Sequence, residues 1–110
     1  MYNKYQITQL DPRSALTEVF YHIACSRERG EELVCLRYTY SDEKALRRVL
    51  LNTLKALKEY RREGKISLFI SYDTLFDNTT EAKYLFNKYP PLEEDLFLKN
   101  PDVPFILVRL

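Results

Sequence analysis

Apolar side chains recur every three or four residues between Ser41 and Gly64, and this spacing predicts one long amphipathic helix. We expect the helix to cover 42–62, with Ser41 as its N-cap and arginines in its last turn, where positive charge is favoured. Gly64 suits the left-handed backbone position that closes a helix. At about 1.5 Å per residue the helix would be roughly 31 Å long, enough to cross a whole sheet. The face expected to enter the core comprises Leu46, Val49, Leu50, Thr53, Leu54, Leu57 and Tyr60.

Runs of β-branched and aromatic residues on either side of this helix predict strands at 33–40 and 66–72. Small serines separate the apolar residues of 66–72, a pattern typical of a strand covered on both faces, so we expect it to be the central strand. A mixed pattern at 2–10 predicts a first strand at a sheet edge. The final run, PFILVRL at 104–110, predicts a last strand.

The segment 12–28 has two interpretations. Asp11-Pro12 is a strong helix start, and the apolar residues that follow have helical spacing, which favours a helix. The Val, Phe, Tyr and Ile content of 18–26 also suits a strand that turns through RERGEE into the strand at 33–40.

A third, short helix is expected to start at Thr79 or Thr80 and to end before Pro90, because proline stops a helix. Taken together, about four strands alternating with three helices predict a single α/β layered domain over 1–110. The hairpin interpretation of 12–28 would instead give an α+β fold of the ferredoxin-like type.

The face of helix 42–62 that lies opposite the apolar face is basic, with Leu51 in its middle. One interpretation is a solvated face supported by intrahelical pairs such as Glu43 with Arg47 and Glu59 with Arg62. The other is a stripe that follows the phosphate backbone of DNA or RNA. The residues expected to bind nucleic acid are Lys44, Arg47, Arg48, Lys55, Lys58 and Arg62.

Charge is unevenly distributed, although the net charge is only +1. Residues 27–65 include eleven basic and seven acidic side chains, whereas residues 66–104 include three basic and seven acidic ones. Such a chain presents a basic and an acidic surface, which also suits a homodimer or another protein partner. The abundance of Glu, Arg and Lys beside two glutamines and two glycines is typical of thermophilic proteins.

Several classes of protein are disfavoured. No apolar run is long enough to span a membrane, and the N-terminal residues lack the apolar core of a signal peptide, so we expect a cytoplasmic protein. Two isolated glycines cannot form a phosphate-binding loop. One histidine, His22, and two cysteines, Cys25 and Cys35, do not have zinc-ligand spacing, and we expect packed thiols rather than a Cys–His nucleophile. No cofactor is therefore expected.

One acidic group is a candidate for catalysis. Asp73 follows the strand at 66–72, and Asp77 and Glu81 come shortly after it, so their oxygens could hold Mg²⁺. The string Asp73…Glu81-Ala82-Lys83 resembles the metal-and-lysine pattern of restriction-type nucleases, which implies Mg-dependent cleavage. In that family the Glu-x-Lys element lies on a strand, whereas here it falls in a predicted helix. The competing interpretation is a polar loop with capping side chains.

Three functions follow, in order of preference. The first is a non-enzymatic domain, expected to be a homodimer, that binds DNA or RNA through the basic face of helix 42–62 and has no membrane partner. The second is a protein-interaction or structural homodimer module. The third is a Mg-dependent nuclease that uses Asp73, Asp77, Glu81 and Lys83.

Overall fold

The computed structural model describes residues 3–73, 79–92 and 104–110. They form four strands and three helices in a mixed α/β arrangement, which confirms the predicted fold class. In chain order the elements are β1 (Asn3–Ile7), α1 (Pro12–Glu28), β2 (Leu33–Tyr38), α2 (Glu43–Arg62), β3 (Leu68–Ser71), α3 (Thr80–Lys88) and β4 (Phe105–Arg109).

The N-terminal segment is a helix, so the hairpin interpretation of 12–28 is wrong. The Asp11 carboxylate accepts a hydrogen bond from the Ser14 backbone N–H at 3.0 Å, and Pro12 occupies the first turn. This cap provides an acceptor for a backbone N–H that has no partner within the helix. Pro12 has no backbone N–H, so it leaves no unpaired donor in the first turn. Local start signals thus outweigh the β-branched residues in the middle of α1.

The N-cap of α2 is Asp42 rather than Ser41, and the helix begins at Glu43. The Asp42 carboxylate accepts from the backbone N–H groups of Lys44 at 2.9 Å and Ala45 at 3.3 Å. A carboxylate adds a favourable interaction with the positive end of the helix, which a serine hydroxyl does not supply. Gly64 follows the helix with a φ of 76°, as its predicted closing role requires.

The strand order is β1-β2-β4-β3. β1 and β2 are parallel, and β4 lies antiparallel between β2 and β3. The strand predicted to be central is therefore an edge strand, and that prediction is wrong. Residues 105–108 of β4 are all buried, as expected for a strand covered on both faces.

The sheet separates two cores. Val34, Leu36 and Tyr38 of β2 point toward α1 and α2, whereas Leu33 and Cys35 point toward α3. The alternation follows from the pleat of the strand. α1 and α2 therefore form one layer, the sheet a second, and α3 part of a third.

The apolar face of α2 packs on the sheet. Val49, Thr53 and Leu57 are fully buried, together with Ala45. The remaining predicted core residues are half-buried and pack against the first core, namely Leu46, Leu50, Leu54 and Tyr60. Among the described helices, none combines the length and the hydropathy needed to span a membrane.

Candidate nucleic-acid interface

The six basic residues predicted to bind nucleic acid are all exposed on α2. Seventeen intervening residues separate the first, Lys44, from the last, Arg62, so at about 1.5 Å per residue they span roughly 27 Å. The exposed positions lie opposite the side chains that face the sheet, because helix residues three or four apart share a face. The basic surface is thus a direct result of the amphipathic pattern of α2.

Few carboxylates neutralise this surface. Arg62 pairs with Glu59 at 3.4 Å, as the sequence predicted, but the predicted pair of Glu43 with Arg47 does not form. The other five basic residues form no ion pair with a carboxylate in the part of the chain that the structure describes. Their charges are therefore available to an external anion.

Two depressions lie along α2, one lined also by β3 residues and the other also by Tyr72, which follows β3. One has a volume of 580 Å³ and is lined by Leu54, Lys55, Lys58, Phe69, Ile70, Ser71, Thr79 and Glu81. The other has a volume of 500 Å³ and is lined by Glu43, Lys44, Leu46, Arg47, Leu50, Leu51 and Tyr72. We call these two depressions the α2–β3 groove.

The α2–β3 groove combines an apolar floor with a basic rim. Phe69 is half-buried against the first core, and Tyr72 is half-buried with its ring 6.1 Å from that of Phe105. Lys55 and Lys58 are exposed at the rim beside Phe69. Apolar floors beside exposed cations suit ligands that have both flat apolar parts and negative charge.

Two carboxylates also line the groove. Glu81, in the first turn of α3, pairs with Arg61 of α2 at 3.5 Å. Glu43 lies in the first turn of α2, where its charge interacts favourably with the helix dipole. The rim contributes four cations, Lys44, Arg47, Lys55 and Lys58, so positive charge prevails along the groove.

Arg48 and Arg62 do not line either depression of the α2–β3 groove. They are exposed on the same helix, and Arg62 is paired with Glu59. The structure thus separates the six predicted residues into four at the groove and two outside it. This division offers matched variants of equal charge.

The acidic candidates are distributed over different elements. Asp73 accepts a hydrogen bond from the Ser71 hydroxyl at the end of β3, and Glu81 is held by Arg61. Lys83 is exposed on α3, and Asp77 lies outside the described residues. Residues 3–73, 79–92 and 104–110 contain no group of three or more His, Cys, Asp or Glu side chains placed to hold a metal ion.

The topology also gives the end of β3 no special status. Ligands of open α/β sheets bind where neighbouring crossover helices lie on opposite faces of the sheet. Here α1 and α2, the two helices that connect the parallel-running strands, pack on each other over the same face. Helices on opposite faces of the sheet would leave a crevice between them, and α1 and α2 form no such crevice because they lie on the same face.

His22 and the thiols have structural surroundings. The His22 ring stacks on Tyr5 with centroids 4.3 Å apart, and burial lowers the pKa of His22. The Tyr5 hydroxyl accepts hydrogen bonds from Ser26 at 3.2 Å and Arg29 at 2.9 Å. Neither Cys25 nor Cys35 forms a disulfide within the described residues, and Cys35 is buried while Cys25 is half-buried.

The contribution of Phe69 on β3 to the groove was not predicted. The pattern of 66–72 predicted a strand covered on both faces, which left no role for Phe69 at a surface. The alternation within ISLFISY places Phe69 on the face of the sheet opposite Leu68 and Ile70, and this signal was present in the sequence. The sequence did not show that this strand lies at the edge of the sheet, which is the position that exposes Phe69.

No protein-family model, curated protein or solved structure matches this chain, so its function has to be inferred from its own residues.

Proposed function

We propose that this protein binds nucleic acid, DNA or RNA, through the basic face of α2. One observation carries the proposal: five exposed cations on a single straight element have no described carboxylate partner. Phosphate backbones are recognised through such arrays because each Lys or Arg that neutralises a phosphate releases condensed counterions. The absence of a disulfide between Cys25 and Cys35 suits a reducing compartment, and we propose a cytoplasmic location.

The length of the basic face fits a backbone. The roughly 27 Å between Lys44 and Arg62 is long enough for several phosphates of one strand to contact the basic face. Stability of the fold does not explain these residues, because exposed charges without partners contribute little to it.

A homodimer through the same face is the second candidate. Leu51 is 62 % exposed in the middle of the basic residues, which favours an apolar contact there. A two-fold interface centred on Leu51 would, however, place the basic faces of two copies against each other, and like charges at an interface are costly. Nucleic acid removes this repulsion, so it is the favoured partner.

The proposal is tested by fluorescence anisotropy with labelled single-stranded and duplex DNA and RNA at two salt concentrations. We expect affinity to fall with salt, with a logarithmic slope of about −0.7 to −0.9 for each neutralised phosphate. Replacing Lys44, Arg47, Lys55 and Lys58 together by Gln should reduce affinity at low salt by at least about a hundredfold and make the slope shallower.

The matched control carries four neutral substitutions elsewhere. Arg13, Lys83, Lys88 and Arg27 are exposed basic residues on α1 and α3, and their replacement by Gln changes the net charge equally. The control variant should retain most of the affinity. Equal losses in the two variants, or no salt-sensitive binding of any oligonucleotide by the wild-type protein, would contradict the proposal.

A further inference from the structure

Resting on the proposed function, we infer that the ligand is a single strand of nucleic acid that lies in the α2–β3 groove. Its phosphates contact the basic rim, and its bases lie against the apolar floor. The inference concerns which form of nucleic acid binds and which part of the basic surface holds it. The basic face alone could contact any phosphate backbone, whereas the groove would hold a single strand.

The rim places cations along the whole groove. Lys44 and Arg47 lie at the depression near the start of α2, and Lys55 and Lys58 lie at the depression beside β3. From Lys44 to Lys58 the helix rises by roughly 21 Å at about 1.5 Å per residue. A backbone that follows α2 therefore meets a cation in each depression, and it does so on the groove side of the helix.

The floor supplies surfaces for bases. Phe69, which packs against the first core, lines one depression, and Tyr72, which packs against the second core, lines the other. Both residues are half-buried, so each leaves part of its surface exposed. Aromatic side chains bind unpaired bases by stacking, whichever base is present, because every base has a π-face. Leu54 adds apolar surface to the depression lined by Phe69, and Leu50 adds it to the depression lined by Tyr72.

The same floor disfavours a duplex. In a duplex the bases are stacked inside and turned toward each other, so a groove floor behind the cations would remain unfilled. Only the phosphates would contact the protein, and the apolar surface would contribute nothing. A single strand uses both parts of the groove at once.

The positive charge of the rim disfavours an apolar protein segment as the ligand. Four cations line the groove against Glu43 and Glu81, and Glu81 is already paired with Arg61. Desolvating unpaired cations against an uncharged segment is costly. An anionic polymer is required, and an acidic polypeptide is the competitor that the experiment has to separate from nucleic acid.

The experiment compares two double variants of equal charge by anisotropy with a labelled single-stranded oligonucleotide of about 12 nucleotides. Lys55→Gln with Lys58→Gln changes the groove rim, and Arg48→Gln with Arg62→Gln changes the basic face outside the groove. We expect the rim variant to lose more than about tenfold in affinity and the outer variant to lose measurably less, because Arg48 and Arg62 belong to the basic face but not to the groove. Equal losses would overturn the groove while leaving the proposed function in place.

The floor is tested with Phe69→Leu and Tyr72→Leu, which keep an apolar side chain at each position. Each change should weaken single-strand binding by about fivefold or more, the effect expected of a lost base stack, without altering the salt slope. Thermal unfolding of each variant shows whether it is folded. If Phe69→Leu does not fold, the test uses Tyr72→Leu alone. Unchanged affinity in folded variants would overturn the role of the floor.

Competition identifies the class of ligand. The unlabelled single strand should displace the labelled one at a concentration at least tenfold below that of duplex or polyglutamate of equal charge. Displacement by duplex at the same concentration would overturn the inference but support the proposed function. Displacement by polyglutamate at the same concentration would show a groove that recognises charge alone, and would overturn the inference. Absence of binding by any nucleic acid at low salt would contradict both proposals.

Discussion

Val49, Thr53 and Leu57 on one face of α2 are fully buried, whereas Leu51 on the opposite face is 62 % exposed among unpaired cations. The two faces belong to one helix and share its backbone and its caps. Burial on the sheet explains the composition of the first face, because removal of apolar surface from water stabilises the fold. Burial explains only that the second face is polar, and it does not explain why that face is positively charged.

This difference shows where function is to be sought. A solvated helix face needs only polar side chains, and mixed charges with intrahelical pairs serve that purpose well. α2 has one such pair, Glu59 with Arg62, and its Arg61 pairs with Glu81 of α3. Its other basic residues have no described carboxylate partner, namely Lys44, Arg47, Arg48, Lys55 and Lys58. The excess of one sign of charge is thus a property that folding does not require.

The largest expected effect separates the two faces by stability. Leu57→Ala should lower the free energy of unfolding by about 2–5 kcal/mol, because Leu57 is fully buried and its truncation leaves a cavity. Leu51→Ala, the same substitution on the exposed face, should change it by less than about 0.5 kcal/mol. Urea unfolding measures both, and similar losses would show that the two faces do not differ as described.

The second prediction concerns two hydroxyls within the buried face. Those of Tyr38 and Thr53 approach each other in the first core, yet neither meets the geometry of a hydrogen bond with a described group. Burial also raises the pKa of Tyr38. Thr53→Val keeps the shape and removes an unsatisfied group, so it should raise the free energy of unfolding by about 1 kcal/mol.

Urea unfolding of Thr53→Val, with Thr17→Val on the exposed face of α1 as its control, measures this effect. A loss of 1 kcal/mol or more in Thr53→Val would show that its hydroxyl is hydrogen-bonded after all.

The third prediction concerns the exposed face. Lys55→Gln with Lys58→Gln should change the free energy of unfolding by no more than about 0.5 kcal/mol, because both residues are exposed and unpaired. The same variant should bind single strands more than about tenfold more weakly. Denaturant unfolding and anisotropy on one preparation give both values. A large loss of stability would mean that the rim belongs to the fold.

The smallest expected effect is a dependence of stability on pH. Burial is the largest influence on His22 and lowers its pKa below the usual value. The negative charge of Glu18 raises this pKa, and the positive charge of Arg29 lowers it. Unfolding restores a pKa of about 6.5, so the unfolded chain binds the proton more readily and stability falls as the pH drops below about 6.5. His22→Gln removes this contribution.

Urea unfolding at pH 7.5 and pH 5, for the wild-type protein and His22→Gln, isolates the effect from that of the carboxylates. The wild-type protein should lose more stability on acidification than the variant. The reverse order would mean that the folded protein favours the protonated imidazole.

Local signals in the sequence located the helix ends, although they left the hairpin alternative for 12–28 open. Asp11-Pro12 correctly predicted the start of α1, Thr79 caps α3 as one of two predicted candidates, and Gly64 closes α2. The cap of α2 was misplaced by one residue, because serine and aspartate are adjacent and both are good caps. Caps and helical periodicity depend on residues a few positions apart, which a sequence displays directly.

The candidate site was predicted only in part. The basic residues of α2 are exposed as expected, since their exposure follows from the same periodicity that buries Val49 and Leu57. Their division into four at a groove and two outside it was not predicted. It depends on Phe69 and Tyr72, which reach the surface only because β3 is an edge strand.

By itself the sequence determined the long helix α2 and which of its faces carries positive charge, because both depend on local spacing. The choice between helix and hairpin for 12–28 came from the structure. Only the tertiary structure decided the strand order. Strands pair through backbone groups that every residue carries, so two apolar runs such as 66–72 and 104–110 compete for the centre of the sheet on similar terms. The last strand occupies the centre and leaves β3 at the edge, and this placement creates the groove beside α2.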